Sequence, residues 1–99
     1  MTIKISESAK NDLIRGFWFY ESQSNGLGDY FLDSIFSEID SLVIYAGVHA
    51  VKFEDYHCMF AKRFPYAIYY QIEADTISIE AILDCRQNPD RSQFRLKGD

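Results

Sequence analysis

Four cations in the 99-residue chain, Lys52, Lys62, Arg63 and Arg86, lie in its second half beside His57 and the pair Tyr69 and Tyr70. Lys and Arg hold anions and His or Tyr can move protons, so these are residue types for meeting an anionic partner or for acid–base chemistry. Each also has a structural role open to it. Lys62 and Arg63 are neighbours in a strand-like run and face opposite ways, so only one joins Arg86 on a given face. Tyr69 and Tyr70 divide in the same manner, with at least one in the core. His57, beside Asp55 and Tyr56, falls in a connection where a solvated imidazole is expected, and it is left out of the candidate site. Arg86 is spaced from Asp84 for a surface ion pair, which contributes little by itself. Arg91, Arg95 and Lys97 fit a solvated tail as well as a binding patch.

Cys58 and Cys85 stand 27 positions apart with no CxxC motif and no clustered His, so no zinc site is expected. Both read as buried thiols, and a disulfide would need them on adjacent strands in an oxidising compartment. The N-terminus lacks a charged segment followed by an apolar one, and no apolar run reaches the roughly 20 residues of a bilayer crossing. The expectation is a cytoplasmic protein.

The formal net charge of −5 is unevenly placed. Residues 1–50 carry three basic against seven acidic side chains, whereas 85–99 carry four basic against two acidic. An acidic chain is poorly suited to tracking phosphates along its whole surface, so an anionic partner must meet the C-terminal half.

The elements that position these groups follow from periodicity. With 47% hydrophobic residues, 99 residues are enough for one domain spanning 1–99. Thr2 to Ile5 alternates as a short strand. Ser6 is a plausible N-cap, and Ala9, Leu13, Gly16, Phe17 and Tyr20 mark the buried stripe of a helix from about Glu7 to Gln23. A turn rich in Ser, Asn and Gly follows. From about Asp29, Phe31, Ile35, Ile39 and Leu42 define a second helix, with Leu32, Phe36 and Val43 widening its stripe and Gly47 near its end. The period then changes to two. Cys58 to Phe64, Ala67 to Glu73 and Ile77 to Asp84 read as an antiparallel meander, with Val48 to Phe53 as a lead-in or edge strand. In the last strand Ile77, Ile79, Ala81 and Leu83 are expected on one buried face. The fold class is α+β, in the order β-α-α-β-β-β, with a helical hairpin packed on a mainly antiparallel sheet.

Residues 62–89 carry a more specific pattern: Arg63 before Phe64-Pro65-Tyr66, Ile68 to Tyr70 in the next strand, and a last strand ending in Arg86 with Pro89 beyond it. This resembles the RelE/ParE superfamily of type II toxin–antitoxin toxins. Gly26-Leu27-Gly28-Asp29-Tyr30-Phe31 is similar to that superfamily's junction between helices. The resemblance spans nearly the whole chain and implies one of two activities. ParE-like members bind and poison DNA gyrase, and this branch, which implies no cofactor, is favoured because the tail after Arg86 lacks the Tyr or His that RelE-like members use. Its implied target-binding residues are Arg86, Pro89, Arg91 and Arg95. The alternative is a RelE-like ribosome-dependent mRNA endoribonuclease, with Lys52, Lys62, Arg63 and Arg86 as candidate catalytic cations. A third reading is a non-toxic member acting as a binding partner. The resemblance also implies a cognate antitoxin laid across exposed apolar surface, for which Ile14 and Trp18, off the main buried stripe, are the candidate contacts.

Overall fold

Ser6 ends one element and starts the next. Its hydroxyl accepts the Ala9 N–H at 3.0 Å, capping the first helix, and donates to the Glu80 carbonyl at 3.2 Å. The computed structural model describes residues 1–52 and 55–86, arranged as β1 (Thr2–Ile5), α1 (Glu7–Glu21), α2 (Leu27–Tyr45), β2 (Val51–Lys52), β3 (Tyr56–Phe60), β4 (Tyr66–Glu73) and β5 (Thr76–Asp84). The strands form one sheet in the order β1-β5-β4-β3-β2, parallel between β1 and β5 and antiparallel elsewhere. The helical hairpin covers one face, where Leu13, Phe31, Ile35, Ile39 and Leu42 meet Ile68, Tyr70, Ile77 and Ile79. Phe36 and Val43 do not widen the stripe of α2: both are exposed. A stripe centred on Phe31, Ile35, Ile39 and Leu42 already fills the contact with the sheet, and the two lie beyond its reach.

The hairpin turns on two close approaches. A Cβ on Gly16 would fall 2.5 Å from the Phe31 ring, and one on Gly28 would fall 2.7 Å from the Phe17 ring, so each helix receives an aromatic side chain of the other where it carries no side chain itself. Gly26, at φ 88°, makes the left-handed entry to α2. Glu21 caps that entry, its carboxylate accepting the N–H groups of Gly26 at 3.1 Å and Gly28 at 3.0 Å.

A β-bulge decides which residues of β5 meet the helices. Tyr70 pairs with Ile79 but Tyr69 pairs with Ala81, leaving Glu80 without an opposite residue. One inserted residue reverses the alternation beyond it. Ile77 and Ile79 are therefore joined in the main core by Ile82, while Ala81 and Leu83 turn to the other face with Cys58, Ala67 and Tyr69. The expected uniform face of Ile77, Ile79, Ala81 and Leu83 is corrected accordingly. Tyr69 and Tyr70 do divide between the faces, and both are buried.

Where β1 stops, α1 takes over the edge of β5. The last backbone bond of that pairing runs from Ser6 N–H to the Ile79 carbonyl at 3.0 Å. The next inward N–H, that of Ile82, is accepted by the buried Asp12 carboxylate at 2.9 Å. The other oxygen of Asp12 accepts from the Arg15 guanidinium at 2.6 Å. Asp12 thus substitutes for a strand that has ended.

Three further expectations change. β3 ends at Phe60, so Lys62 and Arg63 stand in the connection to β4 and not on opposite faces of a strand. His57 is in β3, half-buried and stacked on Tyr70 with ring centroids 5.0 Å apart, because its pairing with Tyr70 holds it against the sheet. Cys58 is buried but Cys85, past the end of β5, is exposed, and both thiols are free.

Tyr70 also ties down the chain leaving α2. Its hydroxyl accepts the Gly47 N–H at 3.1 Å and donates to His49 Nδ1 at 2.6 Å, while His57 Nδ1–H donates to the His49 carbonyl at 2.9 Å. Burial, then the neighbouring His57, lowers the His49 pKa below its ordinary value, with Glu38 opposing.

Asp12→Ala would leave the Ile82 N–H buried without an acceptor, and should cost about 2–3 kcal/mol in urea unfolding. Asp12→Asn keeps an acceptor and should cost less than half of that. His49 binds a proton more weakly in the folded chain than in the unfolded one, so its contribution is complete above the unfolded pKa of about 6.5 and is lost as the pH falls below it. The urea midpoint should therefore drop between about pH 7 and 5, and His49→Gln should flatten that drop.

Candidate functional site

The end of the sheet nearest the α1–α2 turn brings two candidate cations together. The Cys85 N–H donates to the Pro65 carbonyl at 2.7 Å, fastening the end of β5 to the β3–β4 connection, so Arg86 and Arg63 share this end. Between them lies an aromatic cluster: Tyr20 and Phe64 are 4.7 Å apart, Phe31 and Tyr66 4.9 Å, and Tyr30 and Phe64 5.6 Å. Arg63 lies 6.0 Å from the Tyr30 ring and Arg86 5.5 Å from the Phe19 ring.

Arg86 is held by a fork. Its Nε–H donates to one Asp84 oxygen at 2.9 Å and its Nη2–H to the other at 2.6 Å, while its backbone N–H adds a third bond at 2.9 Å. These bonds lower the Asp84 pKa and raise that of Arg86. The planar guanidinium is thereby fixed in orientation with part of its edge outward, although the exposed pair adds little to stability. Two phenols stand behind it. Burial pushes Tyr66 up to about 12, with Tyr20 and Asp84 adding to the effect. The Tyr20 hydroxyl is buried beside the Arg86 guanidinium; burial raises its pKa, and Arg86 opposes that rise. Neither phenol is poised to give or take a proton near neutral pH.

The other two candidate cations stand apart. Lys52, on edge strand β2, places Nζ 5.0 Å from the Phe60 ring, and Phe60 alternates with the core residue Met59, so this contact belongs to the face away from the helices. Lys62 lines a cleft of about 390 Å³ with Arg63, Ala61 and, from α2, Tyr30, Asp33, Ser37 and Glu38. The Glu38 carboxylate accepts the Lys62 backbone N–H at 3.0 Å, which pins the connection to α2. Pro89, Arg91 and Arg95 lie outside the described residues. Ile14 and Trp18 are 55% and 63% exposed on α1, as expected of positions off the buried stripe.

Sequence reasoning found the Asp84–Arg86 pair from spacing but missed its neighbours Phe19, Tyr20 and Tyr66. Phe19 follows Trp18 on a helix far away in sequence, and no local pattern announces that it will underlie a strand end. Glu38 and the cleft were missed for the same reason.

Comparison with known proteins follows this geometry. No curated protein matches the chain. Among solved structures, the chain is similar to one from the "Chromosomal ParDE TA system from P. aeruginosa", with a TM-score of 0.72 and 18% identity over 83% of this chain and 92% of that one. At that identity the likeness is one of fold. A family model described as the ParE toxin of type II toxin–antitoxin system, parDE, matches residues 3–89 and so takes in the helical hairpin, the sheet and the end that carries Arg86. By that match, this chain belongs to the ParE toxin family.

Proposed function

We propose that this protein is the toxin of a type II toxin–antitoxin module that acts in the cytoplasm by binding and poisoning DNA gyrase, with Arg86 at the end of the sheet and Pro89, Arg91 and Arg95 beyond it in the sequence as target-binding residues, and that a cognate antitoxin neutralises it. Family membership supports the toxin role, and the solved ParDE system supports an antitoxin partner. The observation that favours binding over cleavage is the state of the candidate chemical groups. Cleaving RNA through its 2′-hydroxyl needs a cation and proton-transfer groups converging on one phosphate. Here Arg86 is neutralised by Asp84, Lys52 lies against Phe60 on the other face, Tyr70 is fully buried, and the Nδ1 of His57 is spent on a backbone carbonyl. The edge of the Arg86 guanidinium that Asp84 leaves free, fixed in orientation and partly exposed at the rim, suits a hydrogen-bonded contact to a macromolecular target.

One observation favours the second reading, a RelE-like ribosome-dependent endoribonuclease: Arg63 and Arg86 share one end of the sheet. The antitoxin contact is placed on α1, where Ile14 and Trp18 present apolar surface.

The purified chain should inhibit gyrase-catalysed supercoiling of relaxed plasmid and trap double-strand breaks, and Arg86→Ala should lower its potency about tenfold, ~1.4 kcal/mol. Uninhibited supercoiling at high excess, with ribosome-dependent stops on translated mRNA, would replace this reading by the second. Ile14→Asp and Trp18→Asp should each weaken antitoxin binding about tenfold in calorimetry while leaving the unfolding midpoint within about 0.5 kcal/mol. Unchanged affinity in both variants would remove the antitoxin from α1.

A further inference from the structure

The chain that leaves α2 is held mainly by polar contacts that converge on one hydroxyl. In residues 47–52 only His49 is half-buried and the rest are exposed, and none of the six belongs to either apolar cluster. A segment that buries so little apolar surface opens at low cost once its hydrogen bonds fail. Tyr70, fully buried in β4, accepts the Gly47 N–H at 3.1 Å, and its oxygen lies 2.6 Å from His49 Nδ1. His57 Nδ1–H reaches the His49 carbonyl at 2.9 Å, and the Cys58 N–H donates to the Ala50 carbonyl at 2.9 Å. β2 adds only the pairs Val51 with His57 and Lys52 with Tyr56.

The direction of these bonds selects one protonation state of His49. The backbone N–H groups of Gly47 and His49 both draw on the Tyr70 oxygen, which leaves Nδ1 to accept the phenolic proton. His49 must then be neutral, with its proton on Nε2. A second proton would go to Nδ1 and turn the acceptor into a donor, so the phenolic proton of a fully buried side chain would lose its partner. His57 differs, because its Nδ1–H donates to a carbonyl whether or not Nε2 is also protonated. The groups facing His49 are Glu38 on α2, His57 on β3 and Tyr70 on β4. Glu38 favours the charged ring, but burial and His57 oppose it more strongly, and the His49 pKa lies below its ordinary value.

We propose that His49 is an acid-operated latch: a proton on its Nδ1 breaks the bond to Tyr70 and releases residues 47–52, with β2, while the helical hairpin and the other four strands stay in place. Release removes the acceptors of the Cys58 N–H and of His57, and it bares the edge of β3 at Tyr56, His57 and Cys58. The core is spared because Tyr70 keeps its ring among Ile68, Ile77 and Ile79. Acid therefore acts on one segment before it acts on the fold. The latch requires neither the gyrase reading nor an antitoxin on α1.

Amide hydrogen exchange of the full chain, followed by NMR and expressed as protection factors, separates the latch from general loosening in acid. Between about pH 7.5 and 5 the Gly47 and Cys58 amides should lose protection about tenfold, within the roughly thirtyfold limit for a group that titrates near 6.5 once released. The Ser6 and Ala61 amides, bonded to the Ile79 and Tyr66 carbonyls in the same sheet, should change less than about twofold. His49→Gln, which cannot titrate, should abolish the selective loss at Cys58, and Tyr70→Phe, which keeps the ring without the hydroxyl, should do the same. His57→Gln should retain it. Ring nitrogen shifts near neutral pH should show His49 protonated at Nε2 alone. Unchanged protection at Gly47 and Cys58, equal loss at all four amides, a selective loss that persists in His49→Gln or disappears in His57→Gln, or a proton on Nδ1 near neutral pH would each overturn the proposal.

Discussion

The carboxylate of Asp12 holds the junction on which the rest of the architecture depends. β5 is a central strand for its first half, flanked by β1 and β4, and would become an edge strand once β1 ends at Ile5. An exposed edge inside a core is costly because its N–H groups lose water without gaining a partner. Asp12 supplies the acceptor for Ile82 from a helix, and Ser6 supplies a donor for the Glu80 carbonyl at the bulge. These two contacts let the chain leave the sheet and run back across its face as α1 without abandoning β5. Arg15 pairs with the outer oxygen of Asp12 at 2.6 Å, so both oxygens of the carboxylate have a partner.

The same junction determines where functional groups emerge. With α1 seated on β5, its C-terminal turn is carried over the end of that strand, so Phe19 and Tyr20 arrive beside Arg86. The reciprocal approaches of Gly16 to Phe31 and Gly28 to Phe17 then set the distance of α2. That distance brings Phe31 and Tyr30 to Phe64 and places the β3–β4 connection beside the helical hairpin. The aromatic cluster is closely packed, with Phe64 meeting Tyr20 and Phe31 edge to face at centroid distances of 4.7 and 5.2 Å. Arg63 and Arg86 are mounted on its rim.

Charge is organised on a larger scale than any ion pair. The helical layer carries the acidic excess, concentrated on α2, while Arg86, Lys62 and Arg63, and Lys52 lie on the sheet end, the β3–β4 connection and edge strand β2 respectively. Two surfaces of different electrostatic character discriminate between ligands, because each repels the wrong one as well as attracting the right one.

Much of this was legible in the residue order. The capping hydroxyl of Ser6, the stripe of Ala9, Leu13, Gly16 and Tyr20, the second stripe from Phe31 to Leu42 and the two-residue period of the strands are local signals, and local periodicity suffices to establish element type and the α+β layering. The motif from Arg63 to Pro89 pointed to the family whose model matches. Tertiary structure alone decided the rest. The bulge at Glu80 moved Ile82 into the main core and Ala81 out of it, because an inserted residue is visible only against the partner strand. The role of Asp12 has no local signal, because only the fold brings the Ile82 amide to it. The division of the cations, the placement of Phe19 beneath Arg86 and the exposure of Phe36 and Val43 likewise depend on how whole elements pack, and that packing joins residues that no sequence period relates.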